Sequence, residues 1–276
     1  MTHAVRSLPS RAVVHSWTAA SPRAVVVLQH GFGEYAERYV DQFDGLVPRL
    51  VAAGFDVWAL DLWGHGRSPG RRGVTSIERA VRDHIEVRRL AARLQLPMAL
   101  VGHSLGGLVA ACSALSSTAD LAGVVLMSPA LSRPEPDPVR RMLGVVAAVV
   151  PWVPIPRRRR PVGELSRLPV VGERAASDPL MFGGQVPVLT AATALDQAEL
   201  LWAGLGEWHV PTLVLHGTAD TYTDPASSTD FVAGIASEDK TLHLVDGAFH
   251  ELLNDACAAE VAGLVMSWLG RLRPDR

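Results

Sequence analysis

Apolar residues in this chain fall into short unbroken blocks, each followed by a loop rich in glycine or polar residues. Ala24-Val25-Val26-Val27-Leu28-Gln29, Pro97-Met98-Ala99-Leu100-Val101 and Thr212-Leu213-Val214-Leu215-His216-Gly217 are such blocks, and Thr241-Leu242-His243-Leu244-Val245 reads as another strand. Continuous apolar runs of this length, bounded by turn residues, read as strands of a sheet covered on its faces. Ser76 to Leu94 instead brings Ile77, Val81, Ile85 and Leu90 near one face of an amphipathic helix. Strand and helix patterns alternate from about Arg11 to Ala130 and again from about Val210 to the end. That alternation predicts an α/β fold with a doubly wound, mostly parallel sheet. From about Leu131 to Met181 proline is frequent and the alternation breaks down. The expected organisation is a core domain of residues 1–130 and 182–276, with residues 131–181 inserted as a helical cap or lid.

One turn carries chemistry. Gly102-His103-Ser104-Leu105-Gly106-Gly107 follows an apolar run and precedes the helix former Leu108-Val109-Ala110-Ala111. A serine between glycines at a strand-to-helix turn is a nucleophile elbow, since the glycines admit the tight backbone that lifts the hydroxyl clear of the sheet. A glycine-rich turn with an idle serine has the same bare pattern, and the flanking strand and helix favour the nucleophile.

A serine hydroxyl is a weak nucleophile at neutral pH, so Ser104 needs a base, an acid to orient that base, and an oxyanion hole. Asp220 follows the strand ending at Gly217, and His250 follows the strand ending at Val245. The order Ser104, Asp220, His250 is that of α/β-hydrolases; chymotrypsin and subtilisin order the same three residue types differently. Among the competitors, His243 lies inside a strand, His216 precedes a turn glycine, and His209 sits in a linker before Val210-Pro211. Asp224 precedes Pro225 and reads as a helix cap, while Asp246 reads as the start of the turn into His250. In this fold one oxyanion N–H comes from the residue after the nucleophile, Leu105, and the second from the early loop His30-Gly31-Phe32-Gly33-Glu34, at Phe32.

His30-Gly31-Phe32-Gly33-Glu34-Tyr35-Ala36-Glu37-Arg38-Tyr39 resembles the signature of monoacylglycerol lipases and their lysophospholipase-like relatives. Asp61-Leu62-Trp63-Gly64-His65-Gly66-Arg67-Ser68, the elbow, Ser128-Pro129, Ser177-Asp178-Pro179-Leu180 and Gly217-Thr218-Ala219-Asp220 extend the resemblance over almost the whole chain. Several of these are shared by many α/β-hydrolases; the first, with Glu34 and Arg38 in register, is the specific one. The resemblance implies hydrolysis of a fatty-acyl ester of glycerol, with Ser104, Asp220 and His250 as triad and Phe32 and Leu105 as oxyanion amides. Two positions depart from the pattern: Tyr35 stands where relatives commonly carry histidine, and Leu253 where vertebrate members have a second histidine. Glu34 and Arg38 are candidates to hydrogen-bond the polyol head group, with an internal ion pair that shapes the loop as the competing role.

Composition agrees with a compact enzyme. At 276 residues, 48% hydrophobic and 20% charged, the chain has material for one large α/β domain. A net charge of −2 gives no support to nucleic-acid binding. The 2 cysteines, Cys112 and Cys257, read as buried thiols without disulfide or metal spacing, and the expected chemistry needs neither metal nor organic cofactor. Met1 to Pro9 has no apolar core of a secretion signal, so a cytoplasmic protein is expected. Lys240 is the sole lysine, a bias towards arginine that suggests a GC-rich bacterial genome.

The cap holds Met142-Leu143-Gly144-Val145-Val146-Ala147-Ala148-Val149-Val150-Pro151-Trp152-Val153, apolar on all sides and flanked by Arg140-Arg141 and Arg157-Arg158-Arg159-Arg160. It is too short to span a bilayer and is broken by Pro151. A lid helix that meets lipid, with Trp152 at the interface and arginines towards anionic head groups, fits this composition; a helix packed on the core is the competing reading. Lysophospholipase, short-chain carboxylesterase and cofactor-free perhydrolase activities use the same triad and remain open. A catalytically inactive, ligand-binding homologue is the remote alternative. Dehalogenases and most epoxide hydrolases of this fold need an aspartate at the elbow, and Ser104 argues against both.

Overall fold

The computed structural model describes residues 1–118, 120–134, 137–155 and 162–272. Eight strands form one sheet: β1 (Thr2–Ser7), β2 (Val13–Thr18), β3 (Ala24–Gln29), β4 (Phe55–Leu60), β5 (Met98–His103), β6 (Leu121–Met127), β7 (Thr212–Gly217) and β8 (Lys240–Val245). Their order is β1-β2-β4-β3-β5-β6-β7-β8. β1 pairs antiparallel with β2, and β2 with β4, while every pair from β4 across to β8 is parallel. Parallel neighbours need crossover connections, and helices supply them on both faces.

The central strands are buried on both sides, as their unbroken apolar runs require. On β3, Val25 and Val27 enter a core shared with the helices Ile77–Ala92 and Leu105–Ser116. Val26 and Leu28 enter the opposite core, beneath the helices Leu46–Ala52 and Ala258–Gly270. The amphipathic pattern around Ser76 becomes the helix Ile77–Ala92, whose N-cap Ser76 accepts a hydrogen bond from the Arg79 N–H through its side chain.

Chain direction fixes where a site can form. From β3 the chain passes to β4 on one side of the sheet and then to β5 on the other, so the loops after β3 and β5 diverge at the carboxyl edge. Such a switch point leaves a crevice open to a ligand.

Between β6 and β7 lie the helices Asp137–Val149, Pro169–Ser177 and Val188–Ala203. Ala147 packs with Val188 and Ala192, supported by Leu143, Ile155 and Leu189. The rest of that first helix faces outward: Met142 is 59%, Val145 68% and Val149 72% exposed. Arg140 turns back to pair with Glu199 instead of pointing outward. Arg157 to Arg160 lie outside the described residues, and no described helix is long and apolar enough to cross a membrane.

Candidate active site

Ser104 sits between β5 and the helix Leu105–Ser116 with φ 54° and ψ −122°, a backbone that an L-residue adopts only under constraint. Crowding around the turn supplies the constraint. A Cβ at Gly102 would stand 2.6 Å from the Gly106 carbonyl oxygen, and one at Gly106 would stand 2.3 Å from that of Gln29. Only glycine lets strand, turn and helix close this tightly.

Ser104 Oγ lies 2.8 Å from His250 Nε2, and His250 Nδ1 lies 2.7 Å from Asp220 Oδ2. These three side chains, 146 and 30 residues apart in sequence, thus form one continuous hydrogen-bonded chain. Asp220 is further held: Oδ1 accepts the backbone N–H groups of Tyr222 at 2.7 Å and Thr223 at 3.1 Å. Oδ2 also takes the Thr223 hydroxyl at 2.7 Å and His216 Nε2 at 3.1 Å. Burial pushes the Asp220 carboxyl upward, yet the facing His250 imidazole and the hydrogen bonds from His216, His250 and Thr223 outweigh it and keep it far below the usual carboxylate range. Asp220 is therefore a fixed anion beside the imidazole. Asp224 instead caps the helix Pro225–Gly234, its side chain accepting the Ala226 N–H.

His216 and Thr223 are partners that sequence patterning did not single out. His216 ends β7 with its ring buried, and Nδ1 faces the Ser228 hydroxyl at 2.7 Å, which leaves Nε2 to donate to Asp220. The four-residue spacing from a strand-terminal histidine to the acid was the available signal. Tyr222 also stacks on His250, with ring centroids 5.0 Å apart.

Leu105 opens its helix, so its N–H has no intrahelical acceptor and points to the turn. The loop carrying Phe32 is held from several sides. His30 Nδ1 lies 2.7 Å from the Gly31 carbonyl, and His30 Nε2 accepts the Leu62 N–H at 3.0 Å, which fixes a neutral tautomer. Burial pushes the His30 pKa down, in keeping with that tautomer. The Gly33 carbonyl accepts the Phe182 N–H at 2.8 Å, and the Tyr35 hydroxyl donates to Asp178 Oδ2 at 2.6 Å. Tyr35, the departure from the resemblance, thus ties this loop to the segment that follows the helix Pro169–Ser177.

Glu34 and Arg38 are not presented to an open surface; both are buried with protein partners. Glu34 Oε1 is 2.9 Å from His103 Nδ1, and Oε2 accepts the Tyr39 hydroxyl at 3.1 Å. Arg38 forks onto Glu251 with bonds of 2.7 and 2.9 Å, and Asn254 holds the same carboxylate. Of the two roles weighed for this pair, the geometry fits the internal network. Burial raises the Glu34 carboxyl, but the His103 charge and hydrogen bond, with Arg38, bring it down to about 2. His103 moves the opposite way: burial lowers it, and Glu34 overcomes that and raises it. Leu253 is buried among apolar side chains.

A cleft of about 650 Å³ opens beside Phe249, the neighbour of His250, and is lined by Ser166, Arg167, Pro169, Gly172 and Glu173 among others.

The family described as serine aminopeptidase, S33, matches residues 20–256. A monoacylglycerol lipase from Mycolicibacterium smegmatis is 32% identical over 267 residues, covering 94% of this chain and 92% of its own. The human monoglyceride lipase is 31% identical, covering 84% of this chain and 77% of its own. Among solved structures, the monoacylglycerol lipase of Paleococcus ferrophilus superposes with a TM-score of 0.82 at 31% identity, covering 94% of this chain and 98% of that one.

Proposed function

The chain belongs to the serine aminopeptidase S33 family of α/β-hydrolases, and from that premise we propose that it is a carboxylic ester hydrolase that cleaves monoacylglycerols to glycerol and fatty acid. The observation that carries the reading is the unbroken chain from Ser104 Oγ through His250 to Asp220. Its distances are those a general base needs to take the hydroxyl proton as the bond to carbon forms.

In this mechanism Ser104 Oγ attacks the ester carbonyl while His250 Nε2 takes its proton. Asp220 stabilises the imidazolium through Nδ1–H and stays ionised. The N–H groups of Phe32 and Leu105 receive the oxyanion, each donor supplying about 3–4 kcal/mol to the transition state. His250 then protonates the leaving glycerol oxygen, and afterwards activates a water that releases the fatty acid from Ser104.

Residues 131–181 are read as the cap of this enzyme, over a core of 1–130 and 182–276. Its outward Met142, Val145 and Val149 support contact with a lipid surface, where an apolar helix face enters the head-group boundary. Trp152, half exposed beneath Arg71, suits the rim of that contact.

A series of 1-acylglycerols of graded chain length, run beside lysophospholipids, p-nitrophenyl esters and aminoacyl amides, tests the assignment. Preferred turnover of monoacylglycerols, lost in Ser104→Ala, is expected. Faster turnover of lysophospholipids or short esters moves the substrate to the corresponding alternative, and absence of fluorophosphonate labelling removes the nucleophile altogether.

A further inference from the structure

The antiparallel edge of the sheet gathers three residues that the proposed hydrolysis does not use. His3 on β1 and His15 on β2 face each other, with Nε2 of the first 3.1 Å from Nδ1 of the second. Glu37, in the turn that follows the oxyanion loop, completes the group. One donor atom from each of the three lies within 4.8 Å of the others. No sequence motif announces them, since strand pairing and a distant loop bring the three together.

We propose that His3, His15 and Glu37 form a binding site for one divalent transition-metal ion of the zinc class. Two imidazole nitrogens and a carboxylate oxygen, with a remaining position for water, are a donor set that such ions favour.

The surroundings already orient these donors. His15 Nε2 lies 3.2 Å from Asp61 Oδ2, and both side chains are buried. A carboxylate on that side holds the proton at Nε2 and leaves a lone pair on Nδ1, facing His3. Metal-bound histidines are commonly fixed in this way, through a carboxylate on the other ring nitrogen. Arg67 does the same for Glu37, with Nε 2.7 Å from Oε2 and Nη2 3.2 Å from Oε1, while each oxygen keeps a lone pair. His3 is exposed on the edge strand and stacks on Trp17 at 4.8 Å, so an ion can reach it from solvent.

Two nitrogens bound to one tetrahedral ion at 2.0–2.1 Å stand about 3.3 Å apart, close to the present separation. Without metal, His3 Nε2–H donates to the bare Nδ1 of His15. Binding requires His3 to move its proton from Nε2 to Nδ1 and its ring to turn slightly, so both lone pairs meet the ion and no proton is released. The Arg67 guanidinium adds a positive charge beside the site. It disfavours calcium and magnesium, which rely on several carboxylates, more than an ion held mainly by imidazole.

Titration of tag-free protein with Co(II), followed by its visible absorption and competed with Zn(II), tests the site independently of turnover. One equivalent should bind with tetrahedral-type bands and be displaced by zinc. His3→Ala and Glu37→Gln should each weaken binding by about tenfold or more, and His243→Ala, which alters a half-buried histidine on β8, should leave it unchanged. His3 is exposed and Glu37 lies in a loop, so melting temperatures of both variants without metal should stay close to that of the parent. Absence of saturable cobalt binding, binding equal in all three variants, or displacement by magnesium as readily as by zinc would overturn the proposal.

Discussion

His103 Nδ1 lies 2.9 Å from Glu34 Oε1, joining the residue before Ser104 to the loop that carries Phe32 inside the protein. Through Tyr39, Arg38 and Glu251 the same buried network reaches the residue after His250. Three loops that must keep sub-ångström register therefore share one set of charges, and buried charges of this kind are costly unless every partner is present.

Glu34→Gln tests that dependence. Glu34 is held at about 2 against an ordinary 4.5, so its contribution is fully present above about pH 4.5 and is lost as pH falls towards 2. The depression corresponds to about 3 kcal/mol. His103 is raised, so its share is present below 6.5 and is lost as pH rises through its folded value. Urea unfolding should show Glu34→Gln less stable than wild type by about 3 kcal/mol at pH 6, with the gap narrowed by pH 3 and closing only towards pH 2. An unchanged gap at pH 3 would show that the loss is packing and not charge.

Two substitutions at Ser104 separate chemistry from backbone strain. Ser104→Ala should lower kcat by about 10⁶ and leave the fold intact. Ser104→Gly should be equally inactive, yet about 1 kcal/mol more stable than Ser104→Ala, because glycine adopts φ 54° without a Cβ penalty. Thermal denaturation of the two variants side by side measures the difference. Equal stability would mean that the elbow stores no strain.

The aspartates on either side of Thr223 should respond differently. Asp220→Asn keeps the size of the side chain but presents an amide to His250, and should lower kcat by about 10⁴. Asp224→Ala removes a helix cap and should cost about 1 kcal/mol of stability with little change in kcat. Steady-state kinetics and melting curves of both variants check the ranking, and the reverse order would make Asp224 the acid of the triad.

The parts of the fold with unbroken apolar strands could be read directly, because burial on two faces leaves a clear mark in sequence. β3, β5, β7 and the helix after Ser76 were visible in this way. β1 was not: Thr2 to Ser7 are all exposed, and an edge strand paired on one side carries no apolar pattern. Ser104, Asp220 and His250 could be read because each follows a strand at the carboxyl edge. The Arg38 to Glu251 fork could not, since its partners lie 213 residues apart and nothing local marks a charge for burial. The Arg140 to Glu199 pair escaped for the same reason. An arginine beside an apolar helix reads as solvent-facing until the packed partner is known.

The outward face of the helix Asp137–Val149 yields the last prediction. Val145 and Val149 are 68% and 72% exposed, one turn apart, so they share a face. If that face enters lipid, each side chain withdrawn from it forfeits about 1–2 kcal/mol of binding. Val145→Ser/Val149→Ser should therefore bind anionic vesicles about 30-fold to 1,000-fold more weakly in a flotation assay. Hydrolysis of vesicle-borne long-chain monoacylglycerol should fall with it. Turnover of a soluble short-chain ester should stay near wild type, because the proposed chemistry runs through Ser104, His250 and Asp220 on the sheet edge. Melting temperature should hold or rise, since the substitutions remove apolar surface from water. Equal vesicle binding and equal long-chain turnover in variant and wild type would show that this face has no role at the lipid surface.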